Sequence, residues 1–404
     1  MKRALEGIRV IDLSHVLAAP TTTMFLADLG AEVIHLEPPH GDDAREYGPF
    51  AGEPGKNHSG YFISLNRNKK SLVLNLKLEK GKEILRELIR VSDVIVENFR
   101  PSTMKKMGFG WEEIRKINPR IIYAAISGFG HDSPPEYAAR PSYDMVAQAY
   151  SGLMSITGPV GGPPCRVGSS VGDIFAGHQA VIGILAALLY REKTGLGQYY
   201  DGSMVDGLFA VLESAVARYT ISGKIPGPLG GAHPSITPFE AFRTKDSWII
   251  VAAGNDVLWG KLCRILGRED LIHDSRFANN HLRTENQPEL STILTAELVK
   301  KTTDEWVGSF EKQEIPYSRI NNMKQICEDP IIRHRDMLVT VDQPGIGPVR
   351  IAGSPIRLSE TPGEVRSPAP LLGEHSVEVL REVLGYAPDR IEALKKEGVI
   401  NEKV

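Results

Sequence analysis

Short apolar runs rich in β-branched residues alternate with longer stretches of helical period through the first half of the chain. IRVIDL (8–13), EVIHLE (32–37), SLVLNL (71–76), VIVENF (94–99) and IIYAAISGFG (121–130) have the period and length of strands. Between them, TTTMFLADLG (21–30) and KGKEILRELIRVS (80–92) carry apolar residues at helical spacing. Such alternation requires crossover connections and hence parallel strands, so it predicts a doubly wound α/β layer. Gly30 stands where a helix C′ residue belongs, and Gly172-Asp173 precedes the apolar stretch 174–190 as a helix cap.

From about residue 221 the texture changes. GKIPGPLGGAHPSITP (223–238) is rich in Gly and Pro, and the strand-like WIIVAAG (248–254) precedes two helical patterns. Residues 1–220 are therefore read as a large α/β domain and 221–330 as a smaller second domain. Residues 331–404 are read as a return segment whose C-terminal helices pack on the large domain. No repeat of fixed period appears.

Composition narrows the partners. A chain of 404 residues with 47 Lys+Arg against 50 Asp+Glu has no charge excess to attract nucleic acid or an anionic membrane. Cys165, Cys263 and Cys327 are too scattered for a disulfide framework or zinc-type pairs, so a reducing, cytoplasmic setting and no metal are expected. The N-terminal residues carry no signal-peptide pattern, and the stretch 174–190 falls short of the ~20 apolar residues of a spanning helix, so it is read as a buried helix.

HVLAAPTTT follows the first strand where a dinucleotide fold would have G-x-G-x-x-G, which argues against NAD or FAD. Gly168-Ser169-Ser170-Val171-Gly172 matches G-x-S-x-G, but the preceding GPVGGPPCRV is a poor strand for a Ser170 nucleophile elbow. Asp173 has two compatible readings. It is a cap residue type, and a carboxylate kept ionised by a helix dipole is also a nucleophile toward activated acyl groups. Asn75, Lys77, Asn98 and Arg100 fall beyond strand ends, where a parallel sheet binds its ligand; they suit a phosphorylated ligand or a solvated rim equally.

Taken in order, LEGIRVIDLSHVLAAP, FLADLGAEVIHLEPPHGDDAR, LNRNKKSLVLNLK, VIVENFRP, YDMVAQAYSGLMSITG, VGDIFAG, REKTGLGQ and PLLGEH resemble the class III CoA-transferases and the related α-methylacyl-CoA racemases over essentially the whole chain. The resemblance implies that Asp173 is the nucleophile and passes through a mixed anhydride and an aspartyl-CoA thioester. It implies a CoA site at Val16, Leu17, Leu74, Asn75, Lys77, Asn98, Phe99 and Arg100, with Lys106 near the phosphates and Tyr143 beside the active site. It further implies an interlocked dimer of ring-like subunits, with CoA as co-substrate and no resident cofactor.

Three departures bear on the substrate. Leu17 stands where formyl-CoA:oxalate enzymes carry Gln, and GPLGGAHPSITPF lacks their run of four glycines, which argues against oxalate. Pro38 stands where the family often carries an Arg after the glutamate of the second strand, so the resemblance implies that one phosphate or adenine contact is lost or supplied by another residue. Ser142-Tyr143-Asp144 replaces the racemase His-Asp segment, and a phenol of pKa ~10 is a poor substitute for imidazole in proton transfer. The closest likeness is to the succinyl-CoA-dependent dicarboxylate branch, with Arg45, Arg140 and His233 as candidates for the acceptor's distal carboxylate. The alternatives are a racemase and a non-catalytic CoA-binding subunit of a hetero-oligomer.

Overall fold

Strands β1 (Arg9–Asp12), β2 (Glu32–Glu37), β3 (Lys69–Leu74), β4 (Val94–Glu97), β5 (Ile122–Ser127) and β6 (Tyr199–Ser203) pair in parallel in the order β3-β2-β1-β4-β5-β6. In this computed structural model, which describes residues 3–52 and 58–401, Ile400–Asn401 adds an antiparallel pairing on the β3 edge. Alternate strand residues divide between two cores, because successive side chains point to opposite faces. Val10, Val33, Val94, Ile122 and Ala124 face one side, and Ile11, Ile34, Leu72, Ile95 and Ala125 the other. Both faces are buried, which is why these strands read as nearly unbroken apolar runs.

The helices Ala18–Asp28 and Val171–Thr194 cover the first face. The helix Glu79–Arg90 covers the second through Ile84, Leu85, Leu88 and Ile89, joined by Ser376–Glu382 and Pro388–Lys396 from the C-terminal end. Gly30 ends the first helix at φ +106°, and its N–H and that of Ala31 close onto the carbonyls of Ala27 and Leu26 in a Schellman cap.

The chain divides into two units, one of residues 1–153, 166–217 and 330–404, the other of 154–165 and 218–329. Residues 154–165, expected in the large domain, thus belong to the small unit. The small unit carries the antiparallel strands β7 (Phe239–Arg243), β8 (Trp248–Ala252) and β9 (Tyr317–Arg319), packed by helices around Trp259, Leu262, Leu290, Leu294 and Phe310. Within the return segment, β10 (Leu338–Gln343) and β11 (Gly347–Ala352) form a hairpin of the larger unit.

Val171–Thr194 is long and apolar enough to cross a membrane by length and composition, contrary to the count made on 174–190. It is also not buried all round. Ala176, Ala180, Ile184 and Ala187 pack inward, while Ile182 and Leu189 are 68% and 66% exposed. Its approach to the helix Ala18–Asp28 depends on Gly177. A Cβ there would lie 2.7 Å from the Ala18 carbonyl oxygen and 2.9 Å from Thr21 Cβ, and Thr22 Oγ1 donates to the Gly177 carbonyl at 3.1 Å. Gly177→Ala is expected to lower unfolding free energy by ~1–3 kcal/mol, the usual cost of overpacking. Urea unfolding with an unchanged midpoint would contradict this account.

Candidate active site

The strand order reverses between β1 and β4, which leaves a crevice beyond their carboxyl ends. Two loops line it. The loop after β1 is clamped to the loop after β4 by Asn98, whose Oδ1 accepts from the His15 N–H at 2.9 Å and whose Nδ2 donates to the His15 carbonyl at 2.8 Å. The His15 and Phe99 rings lie 5.6 Å apart, and the Phe99 N–H donates to Glu97 Oε2 at 2.6 Å. Burial pushes the Glu97 carboxyl up to about 7, against the hydrogen bonds from Phe99 and Tyr123. Val16 holds φ +66°, a left-handed conformation costly for a β-branched residue, and its N–H donates to Asp42 Oδ1 at 3.1 Å.

Two cavities adjoin at this point, sharing His15, Asp43, Phe99 and Thr103. The larger, about 850 Å³, is lined by Leu74, Asn75, Lys77, Phe99 and Lys106, together with Lys82, Leu76 and Met107. The smaller, about 340 Å³, is lined by Val16, Leu17, Asn98, Arg100, Arg140, Tyr143 and Asp173. One end therefore offers ammonium groups among apolar walls, and the other a carboxylate. Pro38 lines the larger cavity and supplies no cation, but Lys77, Lys82 and Lys106 lie on the same walls.

Asp173 lies in the first turn of Val171–Thr194, and the N-cap is Ser170. No strand precedes Ser170, so the nucleophile-elbow context is absent there. The cap expected of Asp173 is supplied from elsewhere, by Asp144, whose Oδ1 accepts from the Gly172 N–H at 2.8 Å. Asp144 is held in turn by Gln148 Nε2 at 2.7 Å. The helix dipole does not keep the Asp173 carboxyl in the usual carboxylate range: burial, helped by the Asp144 charge, pushes it up to about 7.

Two predicted residues are placed differently. Arg45 is buried, with Nε and Nη2 each 2.7 Å from a Glu37 carboxylate oxygen and its guanidinium 3.6 Å from the Phe62 ring centroid. Releasing it would leave an unpaired buried carboxylate, so it cannot serve a substrate. His233 belongs to the small unit, where it stacks on Phe239 at 5.3 Å, and it lines neither cavity. Arg140 lines the smaller cavity and has no carboxylate partner among the described residues; its Nε donates to the Glu136 carbonyl and its guanidinium lies 4.4 Å from the Tyr137 ring centroid.

Sequence reasoning passed over Tyr61, whose phenol is pushed up to about 12 by burial and by the neighbouring Asp173 charge. It also passed over Lys82, which in sequence is one more polar position on an amphipathic helix. Among the described residues, no group of three or more His, Cys, Asp or Glu side chains is arranged to hold a metal.

A long ligand with an anionic end and an acyl group presented to a carboxylate would suit these joined cavities. Residues 5–376 match the model of CoA-transferase family III, and the chain belongs to that family. It is 41% identical to the human succinyl-CoA:glutarate CoA-transferase over 99% of this chain and 90% of that protein. It is 40% identical to the acetyl-CoA:oxalate CoA-transferase of Acetobacter aceti, over 94% of this chain and 96% of that one. A CaiB/BaiF family protein from Brucella suis superposes with a TM-score of 0.84 at 36% identity, covering 95% of this chain and all of that chain, 100%.

The sign of the pH dependence follows from Asp173. A carboxyl with a pKa near 7 is protonated and non-nucleophilic below that pH, so for any reaction that uses Asp173 as nucleophile the rate is expected to fall about tenfold per unit on the acid side. Asp144→Asn keeps an oxygen for the Gly172 N–H and removes the repelling charge, so the acid limb of kcat/KM moves to lower pH; a limb that stays in place would contradict the coupling. The raised pKa also means that the fold binds a proton which the unfolded chain releases from pH 3.8 upward. That contribution to stability is present at low pH and lost as pH rises through about 7, so Asp173→Asn is expected to raise Tm at pH 8 more than at pH 5.

Proposed function

We propose that the chain transfers CoA from succinyl-CoA to a C4–C6 dicarboxylic acid through Asp173. The observation that carries this reading is the position of the Asp173 carboxylate in a cavity that continues past Phe99 to the lysine-bearing one. The carboxylate attacks the thioester carbonyl and expels the CoA thiolate, leaving a succinyl–aspartyl anhydride. The thiolate attacks the aspartyl carbonyl and releases succinate, leaving an aspartyl-CoA thioester. The acceptor carboxylate then displaces the thiolate, and the thiolate takes the acceptor acyl group from the second anhydride, which regenerates Asp173. Lys77, Lys82 and Lys106 pair with the CoA phosphates, and the Tyr143 phenol, which lines the Asp173 cavity, donates to a carboxylate oxygen at the acyl end.

Arg140 is assigned to the distal carboxylate of donor and acceptor, because it alone among the three sequence candidates lines the Asp173 cavity. Leu17 makes that wall apolar and leaves room for methylene groups, which supports glutarate-like acids over oxalate. The Acetobacter relative, named for oxalate, sets the competing acceptor. Exposed apolar side chains on Val171–Thr194 support a homodimer, for which the interlocked arrangement is the reading that the resemblance supplies.

Incubation with succinyl-CoA, borohydride or hydroxylamine trapping and mass spectrometry should place the modification on Asp173, and Asp173→Asn should lose at least 1,000-fold in turnover. Arg140→Ala should raise KM for glutarate-like acids by ~10–100-fold, the value of a charge-assisted pair, while sparing monocarboxylates. Oxalate as the best acceptor would overturn the assignment of chain length. His15 lines the same cavity as Asp173 and offers a second proton-transfer group, so α-epimerisation is the competing activity. Absence of α-deuterium exchange into a 2-methylacyl-CoA without acceptor excludes it.

A further inference from the structure

We propose that His35 is a positioning residue for the acyl-transfer site, held as an imidazolium that joins Asp12 to Asp42 and thereby fixes the strained Val16 turn. The inference rests on the reading of Asp173 as the acylated residue. His35 lies on β2 at 1% exposure and lines the larger cavity. Its Nδ1 stands 3.3 Å from Asp12 Oδ2 and its Nε2 3.7 Å from Asp42 Oδ2, ion-pair distances, and neither buried nitrogen makes a hydrogen bond among the described residues. A neutral ring has one donor and would turn a lone pair toward a carboxylate; only the doubly protonated ring presents N–H to both.

The charges around it require the same state. Asp12 from β1, Glu37 from β2 and Asp42 from the following loop are three buried carboxylates, while Lys69 from β3 and Arg45 are the two cations paired with them. The imidazolium balances the third negative charge. Burial alone would lower the His35 pKa, but Asp12, Asp42 and Glu37 outweigh it and hold it up at about 9. Uncharged groups also border this cluster: the Phe62 ring lies 6.2 Å away, Ser14 and Thr23 donate to Asp12, and Ser71 donates to Glu37.

The functional consequence runs through Asp42. Its carboxylate accepts from the Val16 N–H at 3.1 Å and from the Ala44 N–H at 2.8 Å, and Val16 and Leu17 line the cavity of Asp173. A positive φ at a valine persists only where surrounding contacts over-determine it. Loss of the imidazolium leaves Asp42 repelled by its buried neighbours and frees the turn that shapes the acyl pocket.

Neutron diffraction from wild-type crystals at pH 7.5 should show hydrogen isotope on both ring nitrogens of His35; a single protonated nitrogen overturns the proposal. In single-turnover trapping with succinyl-CoA, His35→Gln should slow formation of the Asp173 adduct at least tenfold, and His35→Lys should recover it to within about threefold. Equal loss in the Gln and Lys variants, or none in Gln, overturns the role of the charge. If His35→Gln does not fold, the neutron result decides. A wild-type chain that forms no Asp173 adduct refutes the reading of the reaction, and the protonation of His35 is still decided by diffraction.

Discussion

Neighbouring parallel strands whose crossovers depart in opposite directions cannot close the space beyond their carboxyl ends, and everything chemical in this protein follows from that gap between β1 and β4. The loops that border it have no sheet neighbour to satisfy their backbone, so side chains must do so. Asn98 bridges them, Glu97 holds the Phe99 N–H, and Asp42 holds the Val16 N–H. Each of these groups anchors the lining of a cavity while leaving its neighbours' outer faces free for ligand.

The same geometry accounts for the electrostatics of Asp173. The helix Val171–Thr194 arrives on the sheet face opposite the C-terminal helices, and its close packing through Gly177 brings its first turn to the crevice. The first turn needs an acceptor, and Asp144 provides one at the cost of placing a second negative charge near Asp173. Burial and that charge together prevail over the helix dipole, whose effect at a helix end is typically only ~0.3–1 kcal/mol. Anchoring and destabilisation of the carboxylate are thus two effects of one residue.

How far this could be read from sequence depends on how local the cause is. The parallel sheet was legible because strands buried on both faces leave an apolar run that helical segments interrupt. Gly30 was legible because a helix C′ position imposes its own backbone demand. Arg45 was misread because its partner, Glu37, lies on a neighbouring strand end and the guanidinium is folded into the core. Asp173 stood out in the sequence as a candidate, but its environment did not, since Asp144 lies 28 residues before Gly172, whose N–H it holds. Tyr61 has no sequence pattern at all; only the fold brings it under the influence of Asp173. Residues 154–165 joined the small unit because contacts made far along the chain claimed them.

Buried charge beside a nucleophile is costly, and a hydrophobic replacement of such a network is often as stable or more so. What apolar packing cannot supply is direction. In the proposed reaction a thioester and two successive anhydrides must react with a carboxylate or a thiolate and not with water, which demands a pocket whose walls keep their shape as ligands exchange. In this chain the wall at Leu17 is apolar and the turn beside it is strained, so its shape cannot come from side-chain packing alone. The carboxylates and cations of β1, β2 and β3 supply the missing constraint from beneath, where bulk water does not weaken them. On the proposed role of His35, the ionic layer under the sheet's carboxyl ends serves the reaction as well as the fold.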